Sequence, residues 1–283
     1  MTPTASHVDA LVVNYGTGDL VRKGCACVSG PGVHLWVWDN SGELLADPPP
    51  DLAALCGDGT NQYFARPNNE LFAQCDGDYV LLLNPDVELE YATLQRLVQD
   101  LVERPAAWGA APRLLNPDGS DQDYLQRLPD LAGLLADRLP PARLFLGRAY
   151  RRYMAHDVDL AMSHVAVQPP AACLLLRRSA LGGALFDESY RLFCNDTDLA
   201  RRLNADGHCW YDADATAVHL RGESFTRERR RSGFRIAREY DRTVLRYARR
   251  NIRGWWVLIP VVALRIAVTS LVDGARSVRR GRR

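Results

Sequence analysis

The sequence predicts an α/β protein built on an open, mostly parallel β-sheet, with helices on its faces and a helical tail at its C-terminus. Short apolar runs recur along the chain, and each ends abruptly in polar residues. Stretches with helical spacing alternate with these runs, as is typical of parallel sheets. The 283 residues, 47% apolar and 24% charged, suffice for one large domain or two small ones and exclude a disordered, collagen-like or coiled-coil protein.

The first third of the chain contains three predicted buried strands, over residues 8–15, 33–38 and 79–83. The first of these ends at a Gly-Thr-Gly turn. Residues 48–61 are predicted to be a turn-rich connection. Leucine and valine at helical spacing predict a helix over residues 92–102, which stops before Pro105.

The rest of the chain divides into an irregular insertion, a return of α/β order and a tail. Four prolines mark residues 113–168 as loops and short helices. An apolar strand over 171–177 and a helix over 196–205 follow. We therefore predict one domain over residues 1–232 and a tail over 233–283, in which an amphipathic arginine-rich helix precedes an apolar stretch.

The net charge of +1 conceals two oppositely charged parts. Residues 1–220 carry 17 basic and 29 acidic side chains, whereas residues 221–283 carry 18 basic and 5 acidic ones. This asymmetry indicates that the tail has its own anionic partner. The seven cysteines are scattered without a CxxC pair, and no secretory signal opens the chain. We therefore expect a cytosolic protein with reduced thiols and with neither a zinc site nor a disulfide framework.

Polar clusters follow each predicted strand, and in open α/β sheets ligands bind at the carboxyl ends of the strands. Four motifs occur in order over roughly residues 10–225. They are Leu11 to Tyr15 with Trp38-Asp39-Asn40-Ser41; Asn61-x-x-Phe64-Ala65 with Asn68-Asn69 and Gly77 to Asp86; Ala172 to Arg178 with Phe186-Asp187-Glu188 and Asp196-Thr197-Asp198-Leu199-x-x-Arg202; and Ala217-Val218-His219 with Ser224.

In order and spacing, these motifs resemble the inverting glycosyltransferases of family 2, in particular their rhamnosyltransferase-like branch. The resemblance implies the GT-A fold, with residues 1–232 as the catalytic domain and residues 113–168 as the acceptor region. It also implies a nucleotide-sugar donor. Because the body of the protein is acidic, it needs a divalent cation to hold the diphosphate of that donor.

The family's D-x-D motif stands here as Asn84-Pro85-Asp86, which leaves Asp86 as the main carboxylate ligand. The resemblance implies His219 as the second ligand, and Mg²⁺ or Mn²⁺ as the ion. A turn or helix-capping role for Asp86 and a core role for His219 are the alternatives.

An inverting transfer needs a base that takes the proton of the acceptor hydroxyl. By resemblance that base is Asp196, and Asn195 stands where the family usually has glutamate. The substitution removes one negative charge beside the base, so we expect the pKa of Asp196 to be less perturbed than is usual in the family. Asp198 and Arg202, at i and i+4, are expected to form a structural ion pair.

The nucleotide is expected to lie against Asp39, which would hold its base or ribose, and the remaining donor-binding residues are Asn14, Tyr15, Asn40, Arg66, Asn68 and Asn84. Asn69 is expected to help order the loop around the diphosphate. Tyr63 replaces a family glycine, and any positive φ there would strain the backbone. Ala171 stands where the family usually has glycine, and its additional methyl group would make the acceptor pocket smaller.

Residues 255–272 are apolar but contain Pro260 and Arg265, so an interfacial helix is favoured over a membrane span. The arginines behind that stretch would meet anionic lipid at the cytoplasmic face of the cell membrane. The alternative is a helix packed on the body or in a dimer. No nucleic-acid-reading module is evident.

We expect a metal-dependent inverting glycosyltransferase that acts on a saccharide or a lipid-linked saccharide. The first candidate for its donor is dTDP-rhamnose. The alternatives are a UDP-sugar donor, a protein acceptor, a nucleotidyltransferase and an inactive GT-A binding module. The oligomeric state is left open.

Overall fold

The computed structural model describes residues 7–220 and 234–280, with side chains as far as Asp273. These residues form two compact units. The first consists of residues 7–126 and 158–220, and the second of residues 127–157 and 234–280. The predicted boundary at residues 232 and 233, Ser224, Arg282 and Arg283 lie outside the described residues.

The first unit is built on a nine-stranded sheet of order β3-β2-β1-β4-β8-β6-β9-β5, with β7 paired to β9. Its strands are β1 (Val8–Asn14), β2 (Val33–Asp39), β3 (Leu52–Cys56), β4 (Tyr79–Leu83), β5 (Val87–Glu88), β6 (Ala107–Leu115), β7 (His164–Ala166), β8 (Cys173–Arg177) and β9 (His208–His219). β1, β2, β3, β4, β6 and β9 run in one direction, and β5, β7 and β8 run against them.

The helices of this unit are α1 (Gly18–Val28), α2 (Ala65–Phe72), α3 (Tyr91–Glu103) and α6 (Asn195–Leu203). Every residue of β1 and β4 is buried, because both strands lie inside the sheet and are covered on both faces. Helix α3 buries Leu94, Leu97 and Leu101, which follow one another at helical spacing. The predicted α/β class with an open, mostly parallel sheet flanked by helices is confirmed.

The second unit is helical. It contains α4 (Leu131–Arg138), α5 (Arg143–Tyr153), α7 (Arg235–Asn251) and α8 (Leu258–Arg280), with short 3₁₀ turns at Pro140–Ala142 and Trp255–Val257. Helix α7 buries Val244 and Tyr247 on its apolar face. The irregular insertion predicted over 113–168 thus contributes residues 127–157 to a helical unit that also contains the tail.

Asp241 of α7 is fully buried in the second unit and neutralised by two arginines. Arg138 donates to its Oδ1 at 3.1 Å, and Arg265 of α8 donates to both of its oxygens at 2.9 and 3.1 Å. The guanidinium of Arg138 also lies 4.3 Å from the ring centre of Tyr240. Arg265, which interrupts the apolar stretch in the sequence, therefore points toward the neighbouring helix α7.

Candidate functional site

The carboxyl ends of β1 and β2 are joined by hydrogen bonds between buried side chains. Asn14 Nδ2 donates to Asp39 Oδ1 at 2.9 Å and to Ser41 Oγ at 3.1 Å. Ser41 donates to the same Asp39 oxygen through its backbone N–H and its hydroxyl, and Leu44 N donates to Oδ2 at 2.7 Å. Asp39 thus fixes the turn after β2 at the edge where a ligand is expected.

The pKa of Asp39 lies below its ordinary value. Burial alone would raise it, but the backbone N–H groups of Leu44 and Ser41, with the Ser41 hydroxyl and the Asn14 amide, stabilise the carboxylate more strongly. Asp39 is therefore ionised at neutral pH. An ionised carboxylate can accept hydrogen bonds from a ligand but cannot donate one.

Asn40 connects this turn to the loop that precedes α2. Its Nδ2 donates to Tyr63 O at 2.8 Å, and its Oδ1 accepts from Gln62 N at 2.8 Å. Tyr63 adopts a φ of 66°, a left-handed conformation that costs a residue other than glycine about 1–2 kcal/mol. The Asn40 bond and the guanidinium of Arg191, 4.9 Å from the centre of the Tyr63 ring, hold the loop in this strained shape.

Helix α2 carries Arg66 and Asn68, which the sequence assigns to the donor site, and Asn69, which it assigns to the loop around the diphosphate. Asn68 is buried and donates to Phe64 O at 2.9 Å, so it closes the first turn of the helix. Asn69 Nδ2 donates to Phe186 O, and its Oδ1 accepts from Phe186 N, both at 2.9 Å. Arg66 is exposed and lies 3.5 Å from Glu70. The asparagines therefore order the loops around α2, and Arg66 retains an exposed positive charge.

Asp86 and His219 come together although 133 residues separate them in the sequence. The antiparallel pairing of β5 with β9 places Val87 opposite His219, and His219 Nε2 lies 3.4 Å from Asp86 Oδ1. Both side chains are almost completely buried. Asn84 stands two residues before Asp86, and its backbone N–H donates to Ala172 O at 2.8 Å.

Gln122 orients His219 for this contact. Its Nε2 donates to His219 O at 2.6 Å, which leaves its Oε1 to accept from His219 Nδ1 at 3.0 Å. The Nδ1 atom therefore carries a hydrogen, and Nε2 is the ring nitrogen that faces Asp86. The sequence did not point to Gln122, because its bond to His219 spans 97 residues and no local pattern marks it.

The chemistry of this pair suits a divalent cation. A buried carboxylate and an imidazole nitrogen close to it are ordinary ligands of Mn²⁺, and a hydrogen bond at the second ring nitrogen is the usual support of a metal-binding histidine. Two protein ligands leave room for phosphate oxygens and water, which Mg²⁺ and Mn²⁺ commonly keep.

Asp196 lies at the start of α6, next to the segment that supports Asn84. The Asp196 carboxylate accepts hydrogen bonds from Thr197 N at 2.7 Å and from the backbone N–H of Ala171. Since Asn84 bonds to Ala172, residues 171 and 172 contact both the Asn84-Pro85-Asp86 turn and the predicted base. Arg202 donates to Asp198 at 3.0 Å and to Leu185 O, so the predicted ion pair on α6 is confirmed.

The pKa of Asp196 is raised above its ordinary value because burial disfavours the carboxylate form, and the hydrogen bonds it accepts offset this only in part. Neighbouring Asn195 is buried, and its Nδ2 has no hydrogen-bond partner among the described residues. Its Oδ1 accepts from Asp196 N at 2.7 Å. Burial therefore raises the pKa of Asp196 even though Asn195 replaces the acidic neighbour that the family usually has.

No protein-family model matches the sequence. The chain is 29% identical over 215 residues to the N-acetylglucosaminyl-diphospho-decaprenol L-rhamnosyltransferase of Mycobacterium tuberculosis, in an alignment that covers 73% of this chain and 67% of the relative. It is also 29% identical over 167 residues to the O-antigen biosynthesis protein RfbC of Myxococcus xanthus, with 56% of this chain and 12% of that protein covered.

Among solved structures, the mannosyltransferase PcManGT from Pyrobaculum calidifontis in complex with GDP-Man and Mn²⁺ aligns with 99% of this chain and 80% of its own, at a TM-score of 0.55 and 14% identity. Residues 1–349 of S. aureus TarS align with 84% of this chain and 65% of that chain, at a TM-score of 0.50 and 13% identity. The resemblance to the rhamnosyltransferase-like glycosyltransferases of family 2 is confirmed. The chain has the GT-A fold of these solved glycosyltransferases.

Proposed function

We propose that the chain is a metal-dependent, inverting glycosyltransferase that transfers rhamnose from dTDP-rhamnose to a saccharide hydroxyl. The observation that carries the proposal is the buried pair of Asp86 and His219, which lies beside a chain segment that also supports Asp196. The proximity of these residues supports the proposal, because the reaction needs both a cation and a base.

In the proposed mechanism, Asp196 takes the proton of the acceptor hydroxyl while that oxygen attacks the anomeric carbon. The raised pKa of Asp196 makes it a stronger base than an ordinary aspartate. The carbon–oxygen bond to the diphosphate breaks as the new bond forms on the opposite face of the sugar. One displacement of this kind inverts the configuration at that carbon.

Asp86 and His219 would hold Mg²⁺ or Mn²⁺, which would neutralise the charge that develops on the leaving diphosphate. Gln122 would keep His219 in the tautomer that this binding requires. Asp39 and Asn14 would position the nucleoside at the ends of β2 and β1. Arg66 would contribute positive charge near the phosphates.

A lipid-linked acceptor is favoured by the mycobacterial relative, whose name gives N-acetylglucosaminyl-diphospho-decaprenol as its acceptor. Within the second unit, residues Trp255–Asp273 form a 19-residue stretch of mean hydropathy 2.0 that is only 11% buried. By length and composition, this stretch could cross a membrane. We propose that it lies in the membrane interface, so that the enzyme works at the inner face of the cell membrane.

Helix α5 supplies a second apolar element on the same unit. Leu144 and Phe145 are 84% and 89% exposed. Exposed Arg148 and Arg151 lie on the same helix and would face anionic headgroups. The sequence did not single out this helix, because its two exposed apolar residues stand within a stretch that was predicted to consist of loops and short helices.

A thermal-shift series with dTDP-rhamnose, UDP-sugars and GDP-mannose tests the choice of donor, because a ligand that binds the native state raises its melting temperature. We expect dTDP-rhamnose with Mn²⁺ to give the largest rise, and Asp86→Asn to abolish the Mn²⁺-dependent part. A larger rise with a UDP-sugar would show that the donor is that UDP-sugar and not dTDP-rhamnose. The proposed transferase activity would stand. No rise with any nucleotide sugar would contradict the proposal.

A further inference from the structure

A second group of potential metal ligands lies at the amino ends of β1 and β2, at the opposite end of these strands from Asn14 and Asp39. It consists of His7, Asp9 and His34, whose nearest ligand atoms all lie within 4.8 Å of one another. Because β1 rises about 3.3 Å per residue, this group is roughly 15–20 Å from the site described above. Nothing in the proposed reaction uses it.

The parallel pairing of β1 with β2 creates the group. Residues His7 and Asp9 are two apart and therefore lie on one face of the sheet. The register places Asp9 beside His34, so all three side chains share that face. His7 Nε2 lies 2.5 Å from His34 Nδ1 and 3.4 Å from Asp9 Oδ1, and His34 Nδ1 lies 3.9 Å from the same oxygen.

Asp9 is fully buried, and hydrogen bonds fix the position of both of its carboxylate oxygens, as is usual for a metal ligand. Trp36 Nε1 donates to its Oδ1 at 2.7 Å, and Gly77 N donates to its Oδ2 at 2.6 Å. A Cβ at residue 77 would stand 2.6 Å from Asp9 Oδ2, so this approach requires glycine. His7 Nδ1, on the far side of its ring, lies 3.9 Å from the Asp76 carboxylate.

We propose that His7 Nε2, His34 Nδ1 and Asp9 Oδ1 bind one Zn²⁺ ion. Two imidazole nitrogens and one carboxylate oxygen form a typical donor set for zinc, whereas Ca²⁺ and Mg²⁺ prefer sites made of oxygen. His34 is half exposed, so water can take the fourth position. In a tetrahedral site two nitrogens stand about 3.3 Å apart, and small rotations of these two partly exposed rings provide that separation.

The two imidazoles have an alternative without metal, in which they share one proton across the 2.5 Å contact. In this alternative the shared proton faces the Asp9 carboxylate in an ion pair, and Asp9 also has hydrogen bonds with Trp36, Gly77 and Cys75. Titration with Zn²⁺ separates the two alternatives, because only a zinc site binds one equivalent of the ion. The site would link β1, β2 and the turn before β4 with one ion. The sequence prediction of no zinc site considered cysteine motifs and did not consider histidines from different strands.

Isothermal titration of the full-length protein with Zn²⁺ tests the proposal directly. We expect one tight equivalent in the wild type. His7→Gln and His34→Gln should each lower its affinity by roughly tenfold or more, because both remove a direct ligand. His208→Gln changes a histidine at the start of another strand of the same sheet and serves as the matched control. Asp86→Asn removes the proposed catalytic ligand, and both of these variants should retain the tight equivalent.

Melting temperatures with and without EDTA separate a lost ligand from a damaged fold. We expect Zn²⁺ to raise the melting temperature of the wild type and of His208→Gln, and not that of His34→Gln. With EDTA present, all three should melt at the same temperature. Retention of the tight equivalent in both His7→Gln and His34→Gln, or its loss in His208→Gln, would overturn the proposal, as would absence of tight Zn²⁺ binding by the wild type.

Discussion

Asp196 is the side chain on which the proposed chemistry depends most. Asp196→Asn should reduce sugar transfer by about 10²–10⁴-fold, because the acceptor hydroxyl loses its base. The affinity for the nucleotide should stay within a factor of two or so, and the stability at neutral pH should not fall. The reason is that a carboxylate whose native pKa is raised is destabilising when ionised, and asparagine removes that charge. Transfer rates, nucleotide titrations and melting curves measure the three effects.

In the proposed mechanism, the raised pKa of Asp196 also determines the acid limb of the pH–rate profile. Activity should fall as the pH drops through this pKa, above the range of an ordinary aspartate, because only the ionised form accepts a proton. Asn195→Asp places a second carboxylate beside the base and should move that limb to higher pH. Ala205→Asp adds the same charge at an exposed site beyond the far end of α6 and should leave the limb in place. An unchanged limb in Asn195→Asp would argue against Asp196 as the base.

Gln122 acts through His219, which it holds by two hydrogen bonds. Gln122→Ala should weaken Mn²⁺ binding by roughly 10–100-fold, as the loss of outer support commonly does. The control is Gln99→Ala, which removes an exposed glutamine of α3 that bonds to Glu103. Mn²⁺ titration of the transfer rate measures the difference. Equal affinities in Gln122→Ala and the wild type would contradict this role.

At the scale of elements, the buried ion pairs of Asp241 link α7 to α4 and α8. Asp241→Asn should cost the second unit about 3 kcal/mol, because it leaves two arginines beside a neutral side chain. Asp273→Asn weakens a more exposed pair with Arg238 and should cost about 1 kcal/mol or less. Denaturant unfolding followed in the tryptophans of this unit gives both values. Equal losses in the free energy of unfolding would show that the buried ion pairs stabilise the unit no more than the exposed pair does.

Elements with continuous apolar runs were predictable from the sequence, and β1, β2 and β4 begin within one residue of their predicted positions. The strand β3 was missed. Its residues are only half buried, because it lies at the edge of the sheet, and the prolines and aspartates that flank it in the sequence resemble a turn. Contacts across long separations, such as Gln122 with His219, leave no periodic signal in one sequence.

At the scale of the whole molecule, the basic C-terminal part of the sequence belongs to the helical unit, and most of the acidic part belongs to the α/β unit. Replacing both Leu144 and Phe145 by glutamine should reduce binding of the full-length protein to vesicles that contain phosphatidylglycerol, because it removes two exposed apolar side chains from the proposed membrane face. The matched control is Leu45→Gln, which changes an exposed leucine of the other unit. Vesicle flotation measures the bound fraction. Equal flotation of all three proteins would contradict the proposed role of α5.

The central claim is that sugar transfer requires a divalent cation held by Asp86 and His219. The most direct test is the steady-state rate of donor consumption, in the presence of acceptor, over a range of Mn²⁺ concentrations. We expect the wild-type rate to vanish in EDTA and to return with Mn²⁺, whereas Asp86→Asn and His219→Gln should need much higher Mn²⁺ for any recovery. A full rate in EDTA, or unchanged Mn²⁺ dependence in both variants, would contradict the account.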